Sequence, residues 1–421
     1  MLPKPTANWS LQDWLAYQEQ LHPTVIELGL ERVRRVATRL GLLQAPPLTI
    51  IVGGTNGKGS TTTLLALIYR ESGLQVGAYT SPHLYRYNER VAINGSPVDD
   101  AALCRAFVAI EQARAGDSLS YFEFGTLAAL WLFREAKVDV QVLEVGLGGR
   151  LDAVNILDAD AALVTQIGLD HQDWLGEGRD AIGREKAGIF RAARPAVIAD
   201  RAPPQGLLQA AASTQAQAIR FDLSDYGYQV EPQGWRWQTR ELQSPLLPLP
   251  ALAGAHQLDN AAAAIALTQC LQPRLPVTWQ AIERALRSLR LPGRMEARGR
   301  FLLDVGHNAE AAEALALQLK QSQQPVLWLV GILADKPIEA IAAALSPVVQ
   351  QAITCSLPGP RGLSAQALAT RLGHTGMAAL AGGEPAAALA LALQRAAPEQ
   401  LILISGSFLT VAAISPLISH D

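Results

Sequence analysis

A glycine-rich stretch near the N-terminus, GGTNGKGSTTTLL at residues 53–65, carries the residue types that bind phosphate. Its glycines allow a tight loop to turn backbone N–H groups toward an anion, and a helix that follows adds the positive end of its dipole. Lys58 supplies a charge for outer phosphates, and the Ser60 hydroxyl suits Mg²⁺. The spelling departs from the usual P-loop, because Val52 stands where that motif has its first glycine and Gly59 separates the lysine from the serine. A phosphate loop is predicted, with an ordinary glycine-rich turn as the alternative.

A second candidate is Glu144, which ends the apolar run VDVQVLE just before a Gly-rich turn. Ligands of α/β proteins bind at the carboxyl edge of the sheet, where the strands end. A carboxylate placed there is an apt Mg²⁺ ligand. The alternative is a solvated acid at a strand end, and the nearby phosphate loop makes metal binding the favoured interpretation.

The segments around these residues predict an α/β fold with a large P-loop NTPase-like domain at residues 1–290. PLTIIVGG reads as a strand and STTTLLALIYRESG as a helix. Further apolar runs alternate with helical stretches, which predicts a mostly parallel sheet with helices on both faces. Those runs are LQVGAYTS, VDVQVLEVG, AALVTQIG and RPAVIAD.

Three further regions complete the predicted organisation. Residues 203–250, rich in Gln, Pro and aromatics with two-residue alternation, predict a β-ribbon appendage. Residues 291–299, rich in Pro, Gly and Arg, predict a hinge linker. Residues 300–421 predict a smaller Rossmann-like α/β domain, because FLLDVGH, PVLWLVGIL, QAITCSL and QLILISGS alternate with Ala/Leu helices.

The composition excludes several classes of protein. A length of 421 residues suits two or three domains, and a net charge of −3 provides no broad positive field for nucleic acid. Three dispersed cysteines, without metal or redox spacing, favour a reducing compartment. The N-terminus lacks a signal peptide, and no uncharged run reaches about 18 residues. We expect a cytoplasmic protein without membrane or nucleic-acid partners.

The loop spelling GTNGKGS resembles the Mur ligase superfamily, and the glycine between Lys and Ser resembles its folate branch, the folylpolyglutamate and dihydrofolate synthases. Other stretches resemble the same branch in the same order along essentially the whole chain. They are TSPHLYRYNERVAING (80–95), LSYFEFGTLAALWLF (119–133), LEVGLGGRLDAVN (143–155), GLDHQDWLG (168–176), IGREKAGIF (182–190), LPGRME (291–296), DVGHNAEA (304–311) and SGSFLTVA (405–412).

The resemblance implies an ATP-dependent acid–amino-acid ligase of folate biosynthesis and one-carbon metabolism. Such an enzyme adds L-glutamate to dihydropteroate, giving dihydrofolate, and to the γ-carboxylate of reduced folates, giving polyglutamates. ATP phosphorylates the acceptor carboxylate, and the glutamate amine attacks the acyl phosphate. The implied cofactors are ATP and two Mg²⁺ ions, the C-terminal domain is a glutamate-ligase domain, and the protein is a monomer.

The resemblance also implies roles for individual residues. The metal ligands are Ser60, Ser81, Glu144 and His171. The catalytic residues are Lys58, Glu144, His171, Lys186 and His307. The ATP-binding residues are Thr55, Asn56, Gly57, Lys58, Gly59, Ser60, Asn260, Arg294 and Asp304. The pterin-binding residues are Glu27, Leu28, Gly29, Leu30, Ser120, Phe122, Asp152 and Ala153.

Several of these residues have plain alternatives. Lys186 resembles the lysine that the superfamily carbamylates, whereas its own chemistry favours a surface lysine. Asn260 is also suited to cap a helix. Phe122 is also suited to a core position, and residues 27–30 to a helix end. Leu409 departs from the family, because relatives often have His there.

Other functions remain as alternatives. A Mur-type ligase of cell-wall precursors normally has a further N-terminal domain, and about fifty residues precede this loop. The second alternative is a P-loop NTPase or kinase that forms no amide bond. The third is a nucleotide-binding module without catalysis. ATP turnover without glutamate would favour the NTPase.

Overall fold

The computed structural model describes residues 5–6, 8–22, 27–222 and 225–418. These residues divide into two compact units, each with its own sheet. The first unit extends to Ala251 and includes Gln257–Leu289. The second unit contains Leu252–His256 and the residues from Arg290 onward.

The first unit is built on an eight-stranded sheet. Its strands are β1 (Leu48–Gly53), β2 (Val76–Tyr79), β3 (Val91–Ile93), β4 (Ser96–Pro97), β5 (Val140–Glu144), β6 (Ala161–Val164), β7 (Pro195–Ile198) and β8 (Gln217–Arg220). The order is β4-β3-β2-β5-β1-β6-β7-β8; the pairs β2–β3 and β3–β4 are antiparallel, and the other neighbours pair parallel. The prediction of a mostly parallel sheet is confirmed.

The apolar strand residues are buried, and the helices of this unit pack against the sheet or against one another. They are α1 (Leu11–Leu21), α2 (Glu31–Arg39), α3 (Lys58–Glu71), α4 (Asp100–Arg114), α5 (Tyr121–Glu135), α6 (Gln172–Leu175), α7 (Gly178–Lys186), α8 (Gln205–Ser213), α9 (Ala255–Cys270) and α10 (Trp279–Ser288). In α3 the residues at helical spacing, Leu64, Leu65 and Ile68, are buried as the sequence predicts.

The predicted β-ribbon covers too long a segment. Its first part forms the helix α8 and the strand β8 of the main sheet, and the ribbon itself is a hairpin of β9 (Gly227–Glu231) and β10 (Gly234–Gln238). The stretch GLLQAAAS has the apolar spacing of a helix, and β8 is a largely exposed edge strand without a clear two-residue alternation. The prediction of a β-ribbon is therefore confirmed only for the hairpin.

The second unit contains a six-stranded sheet in the order β11-β12-β16-β13-β14-β15. Its strands are β11 (Glu296–Arg298), β12 (Phe301–Asp304), β13 (Val326–Val330), β14 (Val349–Thr354), β15 (Ala379–Ala381) and β16 (Leu401–Ser405). Its helices are α11 (Ala309–Ser322), α12 (Ile338–Leu345), α13 (Ala365–His374), α14 (Pro385–Arg395) and α15 (Phe408–Ile414). The four predicted strands are present.

Part of the predicted linker is regular structure in this second unit. The strand β11 pairs antiparallel with β12, so residues 296–298 belong to the edge of the sheet. A hinge function for residues 291–299 stays a prediction. Among the described residues, every helix falls short of the length and apolar character that a membrane crossing demands.

Candidate active site

The phosphate loop lies between β1 and α3, in the strand–loop–helix arrangement that the sequence predicts. Two of its glycines are required by geometry. Gly54 and Gly57 have φ angles of +141° and +90°, in the left-handed region that favours glycine. A Cβ on Gly54 would lie 1.7 Å from Thr165 Oγ1, and one on Gly57 would lie 2.6 Å from Asn260 Oδ1. The loop therefore lies directly against its neighbours.

Hydrogen bonds of backbone groups and of two threonine hydroxyls fix the loop to the segment that follows β6. The Thr55 N–H donates to the Gln166 carbonyl over 2.8 Å. The Gly168 N–H donates to Thr55 Oγ1 over 3.0 Å. Thr165 Oγ1 donates to the Asn56 carbonyl over 2.7 Å. Because the loop and the segment after β6 each contribute donors and acceptors, the loop has a defined shape before any anion binds.

Two lysines donate to one carbonyl oxygen of this loop. Lys58 Nζ lies 3.1 Å from the Gly54 carbonyl oxygen, and Lys186 Nζ lies 2.7 Å from the same atom. Burial, and then the positive charge of Lys58, lower the pKa of Lys186 to about 7. Lys186 is buried, so the prediction of a surface lysine from its own chemistry is wrong. An anion in the loop would offset the repulsion between the two ammonium groups.

The acid Glu144 ends β5 beside the start of α3. It is paired in register with Val52 of β1 and is 4% exposed. The Ser81 N–H donates to Glu144 Oε2 over 2.9 Å, and a Cβ built on Gly59 would lie 3.6 Å from the same oxygen. A solvated strand-end acid is thereby excluded.

The donor set around Glu144 suits a hard divalent cation. Ser60 is buried in the first turn of α3, so its hydroxyl belongs to the same helix start as Gly59. Carboxylate and hydroxyl oxygens are the ligands that Mg²⁺ prefers. The described residues contain no group of three or more His, Cys, Asp and Glu side chains arranged to hold a metal. Serine oxygens and water would therefore have to complete the coordination.

His171 lies where a short helix begins after β6. Its φ of +53° places it in the left-handed region, and it precedes α6. Its side chain is 41% exposed, with Nε2 3.8 Å from Asp170 Oδ2. A metal-ligand role for His171 stays a prediction.

The carboxylate of Asp152 organises the Gly-rich turn after β5. Its Oδ2 accepts from the Gly146 and Leu147 N–H groups at 2.9 Å, and its Oδ1 accepts from the Val154 N–H at 3.0 Å. Burial raises the pKa of Asp152 to about 6, against the opposing effect of these hydrogen bonds. Ala153 begins the short 3₁₀ helix that follows and is buried.

Phe122 packs over the same turn. A Cβ on Gly146 would lie 2.7 Å from the Phe122 ring, which is 5.7 Å from the Tyr79 ring. Phe122 is partly buried, so it is not a fully enclosed core residue. The structure thus brings Phe122 and Asp152, two predicted pterin-binding residues, to one turn.

Two of the remaining predicted pterin residues, Ser120 and Glu27, are linked through Glu123 and Arg32 by a hydrogen bond and ion pairs. Ser120 caps α5 in a reciprocal pair with Glu123, whose Oε2 accepts from the Ser120 N–H at 2.7 Å. Arg32 pairs with Glu123 at 3.2 Å and also with Glu27. Leu28, Gly29 and Leu30 lie between Glu27 and α2 and are partly buried. Arg32 and Glu123 were not predicted from the sequence, although the spacing SYFE is that of a capping box.

In the second unit, Arg294 and His307 lie beside the Phe408 ring. The Arg294 guanidinium lies 5.4 Å from the Phe408 ring centre, and the His307 ring lies 6.3 Å from it. Asp304, at the end of β12, accepts from the Met295 N–H at 3.0 Å and the Gly306 N–H at 2.8 Å. The motif SGSFLTVA contained Phe408, but the sequence analysis assigned it no role.

The alternative interpretation of Asn260 as a helix cap is wrong. The helix α9 begins at Ala255, so Asn260 lies inside it and is buried. Its Nδ2 donates to Gln257 Oε1 over 3.1 Å, and its Oδ1 is the atom nearest a Cβ on Gly57. The structure therefore places Asn260 against Gly57 of the phosphate loop, and its role in ATP binding stays a prediction.

These features together define a class of protein. The site contains a fixed phosphate loop with two lysines at one carbonyl, and a buried carboxylate at the first turn of the next helix. These are the parts of an enzyme that uses a nucleoside triphosphate with a divalent metal.

Comparison with known proteins identifies the family. Residues 52–268 match the Mur ligase middle domain, and residues 293–408 match the Mur ligase glutamate ligase domain. The dihydrofolate synthase/folylpolyglutamate synthase of Escherichia coli K12 is 42% identical, over 98% of this chain and 97% of its own length. The chain belongs to the Mur ligase family, in the branch of these bifunctional synthases.

Solved structures agree with this assignment. The structure of E. coli FolC in complex with DHPP and ADP has a TM-score of 0.93 at 42% identity, covering 98% of this chain and 99% of that one. A bifunctional synthase with Mn, AMPPNP and L-glutamate bound has a TM-score of 0.91 at 43% identity, covering 99% of each chain. The predicted family, fold class and class of ligase are confirmed.

A first prediction concerns the glycines of the loop. Gly57→Ala should lower the free energy of unfolding by about 1–3 kcal/mol, because a left-handed φ and contact with Asn260 both oppose a Cβ. Gly59→Ala is the matched control, since a Cβ there meets nothing closer than 3.6 Å. Urea unfolding without nucleotide measures both variants. Equal stability of the two variants would contradict the loop geometry.

A second prediction concerns pH. Between the folded pKa of Lys186, about 7, and its ordinary value of 10.5, the unfolded chain binds one more proton at this residue. Wild-type stability relative to Lys186→Met should therefore rise from pH 7 to 9, with a slope of up to about 1.4 kcal/mol per pH unit, and stay level below pH 6. Urea unfolding of both proteins in CO₂-free buffer tests this; parallel pH curves would refute it.

Proposed function

We propose that this protein joins L-glutamate by an amide bond to dihydropteroate and to the γ-carboxylate of reduced folates, with ATP as the source of energy. The observation that carries the proposal is the position of Glu144, hydrogen-bonded by the Ser81 N–H and adjacent to the helix start that follows the phosphate loop. A monomeric state stays a prediction.

The chemistry follows from the substrates. A carboxylate anion resists attack by an amine because it lacks a good leaving group. Transfer of the ATP γ-phosphoryl group to that carboxylate gives an acyl phosphate, and the glutamate amine then displaces phosphate. The protein's contribution is positioning and fixed charge, with Lys58 beside the transferred phosphoryl group.

A divalent metal is supported by the Mn-containing structure of the related synthase. In this chain Glu144 and Ser60 would hold one Mg²⁺, which supplies charge stabilisation at the phosphate oxygens. A second Mg²⁺, held by His171 together with Glu144 and Ser81, is the further part of the proposal. The oxygen donors fit Mg²⁺, whereas an imidazole is a less usual ligand for it.

Lys186 is proposed to be carbamylated. The neutral amine attacks CO₂, forming an N–C bond and releasing one proton, and the lysine becomes an anion. Burial supports this reaction, because a pKa of about 7 leaves a large neutral fraction near neutral pH. Conversion to an anion would also remove the repulsion from Lys58. Native mass spectrometry with and without bicarbonate tests for the added mass.

The pterin is proposed to bind at the Gly-rich turn. Phe122 offers an aromatic face, and Asp152 offers a carboxylate to the N–H edge of the ring. The proximity of both residues to Gly146 supports this position. Nucleotide contacts by Arg294, Asp304 and His307 stay predictions. The common position of Arg294 and His307 beside the Phe408 ring supports them for these two residues.

The function is tested by product analysis. With ATP and Mg²⁺, dihydropteroate plus glutamate should give dihydrofolate, and tetrahydrofolate plus glutamate should give its polyglutamate, both identified by mass spectrometry. Leaving out glutamate should suppress ATP turnover. ATP hydrolysis that is indifferent to glutamate and to the pterin would support an NTPase instead.

Glu144→Gln tests the carboxylate itself. The amide oxygen retains an acceptor for the Ser81 N–H but loses the charge that binds metal, so ligase turnover should fall by about 10²-fold or more. Glu135→Gln is the control, since that side chain is 55% exposed at the end of α5. Full activity of Glu144→Gln at ordinary Mg²⁺ concentration would overturn the metal assignment.

A further inference from the structure

Two charged residues follow β7, and their side chains lead to different parts of the phosphate loop. Asp200 is 6% exposed, whereas the Arg201 side chain is 55% exposed. Neither residue lies in the loop or in the motifs that bind the nucleotide. Their hydrogen bonds nevertheless form two short connections to it.

The first connection runs through the segment after β6. Asp200 Oδ2 accepts from the Ile167 N–H at 2.9 Å and from Arg179 Nη2 at 2.8 Å. Arg179 Nε donates to the Ile167 carbonyl over 2.8 Å, so both backbone groups of Ile167 are held. The adjacent Gly168 N–H donates to Thr55 Oγ1 of the phosphate loop.

The second connection runs through α9. Arg201 Nη2 lies 2.7 Å from Asp259 Oδ1, and Arg201 Nε lies 3.1 Å from Asp259 Oδ2, so the pair is bidentate. Arg201 Nη2 also donates to the Tyr228 hydroxyl over 2.8 Å, and that hydroxyl donates to Asp259. The next residue, Asn260, is the one that lies against Gly57.

The hairpin β9–β10 and Phe221, the residue after β8, support this second connection. The Arg201 guanidinium stacks 4.3 Å from the Phe221 ring centre and 5.5 Å from that of Tyr228. On β10, Trp237 Nε1 donates to the Ala262 carbonyl of α9 over 3.0 Å. The hairpin thus holds α9 at two places, on either side of Asn260 in the chain.

We propose that Asp200 and Arg201 are positioning residues for the phosphate loop, and that the hairpin β9–β10 serves to hold Arg201 and α9 in place. Asp200 sets the loop through Ile167 and Thr55, and Arg201 sets it through Asp259 and Asn260. The inference rests on the proposed function, because it requires that the loop binds ATP.

The exposure of the Arg201 side chain allows an experiment to distinguish this positioning role from a purely structural one. An exposed ion pair contributes little to stability, so its loss should leave the fold intact. A small shift of Asn260 would still change the loop, because Asn260 lies directly against Gly57: a Cβ added to Gly57 would be 2.6 Å from Asn260 Oδ1. The effect should therefore appear in nucleotide binding rather than in unfolding.

The test uses Arg201→Gln, Asp259→Asn and the double variant of the full chain. The dissociation constant of ADP is measured by calorimetry, and the ATP KM and kcat are measured in the ligase assay. Arg35→Gln is the matched control, because Arg35 makes a similar bidentate pair with Asp117 and its side chain is 50% exposed.

Each single variant should weaken ADP binding and raise the ATP KM roughly tenfold, with kcat at saturating ATP within about threefold of wild type. The double variant should be no weaker than the singles, because the two residues act through one contact. Arg35→Gln should match wild type. Unchanged ADP affinity in both single variants, or single effects that multiply in the double variant, would overturn the role of Arg201.

The first connection is tested with Arg179→Gln, since its side chain is 40% exposed whereas Asp200 is buried. ADP affinity should fall with little change in thermal stability; a lower unfolding temperature at unchanged ADP affinity would show a structural role and overturn this part. Wild-type turnover tests the proposed function separately. A wild-type protein that binds no ADP would refute ATP binding by the loop. The positioning role is judged from the ADP dissociation constant of each variant divided by that of the wild type.

Discussion

Lys58 and Lys186 both donate to the carbonyl oxygen of Gly54, and the charge state of Lys186 at that contact sets the electrostatics of the phosphate loop. Two like charges beside one buried atom repel each other, which lowers the pKa of Lys186 in addition to the effect of burial. The arrangement becomes favourable when an anion binds the loop. Close packing maintains it: a Cβ on Gly149 would lie 2.9 Å from the Lys186 carbonyl oxygen, so the Gly-rich turn lies directly against the end of α7. The polyphosphate of ATP is the anion that this geometry serves.

The sheet order explains why so many functional groups meet. The strands β5, β1, β6 and β7 are neighbours and parallel, so their carboxyl ends lie along one edge. Each end contributes one part of the site. β5 ends in Glu144, β1 leads into the phosphate loop, β6 leads to the segment that holds Thr55, and β7 leads to Asp200.

Local sequence signals predicted the parts of the site that are local. The strand, glycine loop and helix around Lys58 follow from residue type and spacing, as does Glu144 at a strand end. Pairs distant in the chain could not be found in this way. Arg32 meets Glu123 across 91 residues, and Arg201 meets Asp259 across 58, with no spacing rule that joins them. The ribbon was predicted too long because Gln- and Pro-rich stretches carry weak periodicity, and the burial of Lys186 depends on tertiary packing.

The central claim is that Ser60 and Glu144 bind one divalent ion beside the nucleotide phosphates. Anomalous diffraction from crystals grown with Mn²⁺ and a non-hydrolysable ATP analogue tests it directly. The account predicts a manganese peak about 2.0–2.4 Å from the Ser60 hydroxyl oxygen, from a Glu144 carboxylate oxygen and from a phosphate oxygen. A peak at other side chains, or bound nucleotide with no metal between these two residues, would contradict it.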